Sequence, residues 1–426
     1  MPAGTISDGP RTARPPATAT LQRLVPAWYR DVAGSLMWAS LLVVTALWVA
    51  GGGIQNLAGF ASALTSLGRL AGLLSADLLL VQGLLLARIP FVEQAYGQDE
   101  LARRHRLVGF TSFNLMLAHI ALTVLGYTGQ GPLGLVAQTW DLVANYAGML
   151  LATAASALLV LVVVTSVKAS RAALRYESWH LLHLYAYLGI GLSVPHEVWT
   201  GADFVASPLS RLYWWSLYVA AAGAILVWRV GLPVYRSLRH RLVVHKVVRE
   251  GSGVVSVYLR GQDLDLLGAR AGQFFTWRFL DGPGWTRGHP YSLSAAPTRD
   301  QLRITVKNLG DGSARLAGLR PGTRVFLEGP YGRLHGGVRT RRRVTLLAGG
   351  IGVTPLRALM EELSYAPGEL TLIYRARDAR ELVLRREIDD LATRRGAQVL
   401  YVLGHRLRSR ASWLPESAGH LTDSDA

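Results

Sequence analysis

Through the first 230 residues the apolar positions come in unbroken runs rather than stripes, at 32–51, 70–87, 107–126, 147–167, 181–199 and 212–230. A hydrocarbon core about 30 Å thick takes roughly 20 helical residues to cross. The runs therefore predict six membrane helices within residues 31–232, preceded by a tail, residues 1–30, whose Pro, Thr and Ala content reads as disordered. Beyond Arg236 the texture changes to short alternating runs at 242–248, 254–259, 274–279, 302–306 and 324–327. Alternation of this kind predicts an antiparallel β-barrel or sheet over residues 238–338. From Arg343 the pattern changes again. A continuous apolar strand (344–348), a glycine turn with a helical stretch, a strand (370–374), a helical segment (381–393) and a third strand (398–403) predict a parallel α/β domain over 342–426.

Charge sharpens this division. The 426 residues carry 45 Lys and Arg against 28 Asp and Glu, a net +17. Up to residue 230 there are 14 basic and 10 acidic residues, and 31 and 18 after it, so the two parts differ as +4 and +13. With half of its residues hydrophobic and 17% charged, the chain is neither a disordered polymer nor an ordinary soluble enzyme. It has no cysteine, which excludes disulfides, thiolate zinc sites, cysteine-ligated iron–sulfur clusters and cysteine nucleophiles. Basic residues collect in alternate loops: Arg23 and Arg30, then Arg88, Arg103, Arg104 and Arg106, then Lys168, Arg171 and Arg175, then Arg229, Arg236, Arg239 and Arg241. Since short basic loops stay on the cytoplasmic side, both termini are expected there, in a multi-pass protein of the cell membrane. The positive charge suits anionic lipid and calls for no nucleic-acid partner. Oligomeric state is not legible.

Five of the 11 histidines, His105, His119, His180, His183 and His196, fall in or beside the membrane runs, where polar groups are costly. His105 and His119 are 14 residues apart, so they share a helix face about 21 Å apart in height. His183 and His196 are 13 apart, a similar rise but roughly 140° out of phase on an ideal helix, with Pro195 available to kink it. A lone membrane histidine serves well enough as an interhelical hydrogen-bonding group. Four at matched depths offer two imidazoles at each of two levels, able to hold two haem irons from both sides. His180 suits a supporting contact to a haem rather than an axial one. Asp77, mid-run, should face the bundle interior, either as a proton group or in a structural hydrogen bond.

The later part carries its own constellations. His289-Pro290-Tyr291-Ser292-Leu293-Ser294 lies between two barrel strands, Lys307-Asn308-Leu309-Gly310-Asp311-Gly312-Ser313 follows another, and Glu328-Gly329-Pro330-Tyr331-Gly332 follows the run at 324–327. Gly349-Gly350-Ile351-Gly352-Val353-Thr354-Pro355 follows an apolar strand and opens a helix with Pro in its first turn, so backbone can approach a dinucleotide pyrophosphate there. Arg375 and Arg377 follow the next strand. Paired histidines in the third and fifth helices, followed by these motifs in this order, resemble the NADPH oxidase and ferric reductase superfamily over roughly residues 32–410, with a cytoplasmic part that resembles ferredoxin reductase.

That resemblance implies a six-helix haem-binding bundle, an antiparallel β-barrel for FAD and an α/β domain for NADPH. It implies two b-type haems on His105, His119, His183 and His196. It implies an FAD lined by His289, Pro290, Tyr291, Ser292 and Ser294, with Tyr291 and Ser292 nearest the reacting ring and Gly312 and Ser313 at its phosphates. NADPH would lie on Gly349, Gly350, Gly352, Thr354 and Pro355, with Arg375 and Arg377 at its 2′-phosphate. Family members continue into a Cys-Gly-Pro strand and a terminal aromatic. This chain has neither, so an incomplete nucleotide domain is expected. The implied activity passes electrons from NADPH through FAD and the haems to ferric iron or dioxygen. A rival reading is a haem-binding electron carrier fed by a separate reductase. A transporter with histidine proton relays would leave the flavin motif unexplained.

Overall fold

The computed structural model describes residues 26–405 other than 27, 175, 202, 203, 205, 206 and 252. Nearly all of the expected tail and the stretch after residue 405, where the incomplete nucleotide domain was expected to end, lie outside the described residues. The chain divides into two compact units that meet at residues 232 and 233.

The first unit is helical: α1 (Trp28–Ala50), α2 (Phe60–Leu86), α3 (Pro90–Tyr96), α4 (Gln98–Gln130), α5 (Leu135–Asn145), α6 (Met149–Ser166), α7 (Lys168–Ala173), α8 (Tyr176–Thr200) and α9 (Pro208–Ala224). A π-helical turn, Ile225–Gly231, leads on to α10 (Leu232–His240). Among the described residues, five helices are long and apolar enough to cross a membrane: α1, α2, α4, α6 and the continuous stretch Pro208–His240. Five of the six expected crossings meet that description. The run at 181–199 does form a helix, the 25-residue α8, but His180, His183, His196 and Glu197 lower its hydropathy below that of the others.

Small residues bring α2 and α4 together. A Cβ on Gly126 would lie 2.8 Å from the Thr65 backbone nitrogen, and one on Gly68 would lie 3.0 Å from that of Thr123, so only glycine permits this approach. Ser75 and Ser112 then exchange hydrogen bonds, each hydroxyl donating to the other's carbonyl at 2.8 Å. Asp77, fully buried, accepts from Ser40 Oγ at 2.6 Å and from Tyr213 OH at 2.8 Å, tying α2 to α1 and α9.

In the second unit, β1 (Val243–Gly251), β2 (Val254–Arg260) and β5 (Gln301–Lys307) form one antiparallel sheet in the order β1-β2-β5. A second has the order β4-β3-β6, with β3 Phe274–Phe279, β4 His289–Ser292 and β6 Val325–Tyr331. Bridges Val243–Arg324 and Leu293–Ile304 join the sheets along both seams, which closes the expected barrel around Val257, Leu259, Phe275, Trp277, Ile304 and Leu327. The α/β lobe follows, with β7 (Val344–Gly349), β8 (Leu370–Ala376) and β9 (Gln398–Leu403) parallel in that order. Two helices, Val353–Glu362 and Arg385–Arg395, pack on the sheet and are called α12 and α13 here, α11 being the short Asp311–Ala314.

The barrel and this lobe share a charged seam. Arg303 on β5, 4% exposed, makes a forked contact to Glu387 on α13, Nη1 to Oε1 at 2.8 Å and Nη2 to Oε2 at 2.9 Å. Burial alone would raise the Glu387 carboxyl, but the hydrogen bonds and charge of Arg303, with Arg357 beside it, outweigh burial and hold it below the ordinary glutamate range. A depressed folded value gives stability that is present above the ordinary value of about 4.5 and is lost as pH falls through the folded one. The thermal midpoint of this unit should therefore drop as pH goes below about 4.5, by roughly 2–4 °C per kcal/mol lost. Calorimetry across pH 3–7 checks this. In Glu387→Gln that component of the acid dependence should vanish.

Candidate functional site

In the helical unit the four expected histidines come together as two pairs. The ring centres of His105 on α4 and His183 on α8 are 6.0 Å apart, and those of His119 and His196 are 6.3 Å apart. The 13-residue step in α8 delivers both rings to α4 even though the helix runs on through Pro195. His180 is exposed and belongs to neither pair.

Metal–imidazole bonds of about 2.0 Å and a ring radius near 1.2 Å would put two imidazoles that bind one metal ion from opposite sides roughly 6.4 Å apart, centre to centre. Both pairs therefore have the separation of ligands on opposite sides of one metal ion. The tautomers agree. His105 Nδ1 lies 3.2 Å from the Gln82 carbonyl and His119 Nδ1 lies 2.8 Å from the Gly68 carbonyl, and a carbonyl only accepts. Thr200 Oγ1 gives its single proton to the His196 carbonyl at 2.7 Å, so it accepts from His196 Nδ1 at 3.0 Å. His183 Nδ1 lies 3.3 Å from Ser166 Oγ, and Trp179 stacks on the His183 ring at 5.1 Å. Each Nδ1 is engaged, which leaves Nε2 as the nitrogen available to a metal. The donor set fits a six-coordinate iron at each level.

Sequence reasoning missed these supporting groups. Thr200, four residues after His196, could have been found from helical spacing. Gln82 and Gly68 act through backbone carbonyls, which leave no signature in residue type. Gly72 was also missed: a Cβ there would lie 2.7 Å from His119 Nδ1, so its hydrogen makes room for the ring.

In the barrel, β4 lies against β3 with Tyr291 opposite Phe275 and His289 opposite Trp277, and Trp277 Nε1 donates to the Tyr291 carbonyl at 3.0 Å. The His289 and Tyr291 rings stack at 6.1 Å and 17°. Burial pushes the Tyr291 phenol up, keeping it protonated. Pro290 is exposed and Ser292 half-buried. Gly312 lies against His289, since a Cβ on it would come within 2.5 Å of His289 Cε1, which joins two motifs 23 positions apart. Ser313 Oγ caps its own turn, accepting from Leu309 N at 2.8 Å and donating to Gly310 O at 2.9 Å. Ser294 stands apart from the other expected flavin residues. It is fully buried, and its hydroxyl accepts from Arg303 Nε at 3.1 Å and Thr305 Oγ1 at 2.8 Å.

The nucleotide residues meet at the carboxyl ends of β7 and β8, where Gly349 pairs with Arg375. Gly350 has φ +51°, and a Cβ on Gly349, Gly350 or Gly352 would meet nothing within 4 Å, which leaves the turn open to a ligand. Thr354 is buried, donating to the Ile351 carbonyl at 3.1 Å, and Pro355 stands in the first turn of α12. Arg377 is exposed, whereas Arg375 donates to the carbonyls of Ala376 and Val402. The residues suit a dinucleotide, with Arg377 the freer of the two guanidinium groups.

Residues 71–194 match the family described as Ferric reductase like transmembrane component. Over those residues, which include all four paired histidines except His196, the chain is similar to that component. A flavohemoprotein of Bacillus subtilis (strain 168) is 27% identical over 165 residues, 38% of this chain and 41% of that protein. NADPH oxidase 1 of Mus musculus is 25% identical over 155 residues, 35% of this chain and 25% of that protein. The chain thus spans less than half the length of these relatives. Among solved structures, the flavohem-like FAD/NAD binding domain of nitric oxide dioxygenase from Vibrio cholerae O1 biovar El Tor is 20% identical. That likeness covers 41% of this chain and 82% of the other at a TM-score of 0.32.

Proposed function

We propose that the chain is an NADPH-dependent flavocytochrome of the cell membrane, passing electrons through FAD and two b-type haems to a ferric complex or dioxygen on the far side. The observation that carries this reading is the pair of imidazole pairs, 6.0 and 6.3 Å between ring centres, each with Nδ1 engaged. When bound, FAD turns a two-electron hydride into single electrons, and an iron ligated on both sides passes them without an open position. His105 with His183 and His119 with His196 hold the irons. His289, Tyr291 and Ser292 line the flavin, Gly312 packs behind His289, and Gly349 to Pro355 take the dinucleotide.

In this reading α8 is a sixth crossing. Its polar groups have partners inside the bundle, His183 with Ser166, His196 with Thr200, and Glu197 accepting from Tyr218 and Ser193, so the cost of immersing them is met. The basic loops around Arg88 to Arg106 and Lys168 to Arg175 set the His105 and His183 pair on the cytoplasmic side, along with both termini.

NADPH added anaerobically to the purified full chain should convert the haem spectrum from ferric to ferrous. Reduction by dithionite but not by NADPH would show a carrier served by another reductase, and absence of a Soret band would end the reading. The phosphate contact is tested separately. Arg377→Ser removes a charge-assisted contact of about 1.5–3 kcal/mol, so KM for NADPH should rise roughly 10- to 100-fold with KM for NADH little changed.

A further inference from the structure

The charged seam in the second unit reaches further than two lobes touching. Ser294, two residues beyond Ser292 on the flavin strand, offers its carbonyl to both sides. Arg303 Nη2 on the barrel donates to it at 2.7 Å and Arg357 Nη1 on α12 approaches at 3.4 Å. Arg357, 7% exposed, also donates to Glu361 and has its Nε 2.9 Å from Glu387 Oε2. Glu361 accepts the Ala296 N–H at 2.8 Å and Glu362 accepts that of Ala271 at 2.8 Å, so α12 holds barrel backbone at two more points. Arg357 is one turn beyond Thr354, on the helix that opens at the glycine turn.

We propose that Arg303, Arg357 and Glu387 are positioning residues for hydride transfer, locking the end of the flavin strand to the helix that carries the dinucleotide turn. The proposal rests on the flavin and NADPH reading above. None of the three lies among the residues assigned to either cofactor; they act through the Ser294 carbonyl and the register of β4 against α12. Two guanidinium groups balance two carboxylates there. A buried ion network of this kind adds little net stability over apolar packing, yet it fixes one register between its partners. Arg303 spends its fork on one carboxylate, a geometry that Lys cannot copy.

The test uses the full chain with Glu387→Gln and, as a milder change, Arg303→Lys. In anaerobic stopped flow, flavin reduction by NADPH should slow about tenfold in Glu387→Gln and less in Arg303→Lys. FAD content and KM for NADPH should stay within about twofold, and the long-wavelength absorbance of nicotinamide lying over flavin should weaken. A purely structural role would lower the thermal midpoint and leave the rate constant and that band unchanged, which overturns the proposal. So would a loss carried wholly by KM or by missing FAD. If wild-type flavin is not reduced by NADPH at all, the functional reading fails first. The lock is then judged by amide exchange at Ala296 and Ala271, expected to quicken about tenfold in Glu387→Gln, with unchanged exchange refuting it.

Discussion

Replacing His196 with alanine should remove about half of the haem from the purified protein and cut NADPH-driven reduction of a membrane-impermeant acceptor by about 100-fold or more. Losing a group that only hydrogen-bonds to a metal ligand costs roughly 10- to 100-fold, and this change removes a ligand itself. The His119 imidazole would keep its Gly68 contact and face an empty position 6.3 Å away, where alanine supplies no donor atom. The other pair uses different residues on the same two helices, so a six-coordinate spectrum from His105 and His183 should persist. Flavin reduction by NADPH should stay within about twofold, because the motifs it needs lie in the second unit. Haem quantified per FAD, with electron flow measured to ferricyanide in sealed vesicles, reads both effects. His180→Ala, at an exposed position outside both pairs, should retain both haems. Loss of both haems in His196→Ala, or of neither, would contradict two independent sites.

What the sequence discloses here is what periodicity and residue type can encode. The 14-residue step from His105 to His119 lies in a helix without proline, so ideal geometry sufficed to place both rings. The 13-residue step in α8 did not yield to the same arithmetic: an ideal helix puts the two rings roughly 140° out of phase, yet each ring meets a partner on α4. Mean hydropathy singles out five of the six expected spans for a related reason. Hydropathy averages a helix, whereas α8 places its costly residues against partners one by one. Barrel alternation gave the strands, but Ser294 shows its limit: alternation says which face a side chain takes, not whether Arg303 and Thr305 already fill the space there. Gln82 and Gly68 hold histidines through carbonyls that every residue type possesses, so no sequence pattern could have singled them out.

Gly312→Val should strip the flavin while leaving both haems in place. Even a Cβ at residue 312 would fall 2.5 Å from His289 Cε1 and 3.0 Å from Nε2, well inside contact distance, and valine adds two methyl groups beyond it. The ring has little room to withdraw, since Tyr291 stacks on it at 6.1 Å and both residues belong to a strand paired in register with β3. Overpacking of this kind costs about 1–3 kcal/mol. Carried into flavin binding, that is roughly a 10- to 100-fold weaker Kd, enough for purified protein to lose most of its FAD. FAD released on denaturation and counted against the Soret absorbance gives the ratio directly. Gly318→Ala, where a Cβ would meet nothing within 4 Å, should keep the wild-type ratio. The double variant Gly312→Ala with His289→Ala separates ring from backbone: if the clash with the imidazole is the cause, it should retain as much FAD as His289→Ala alone. If it retains less than His289→Ala, the backbone at residue 312 rather than the His289 ring is what the flavin needs kept clear.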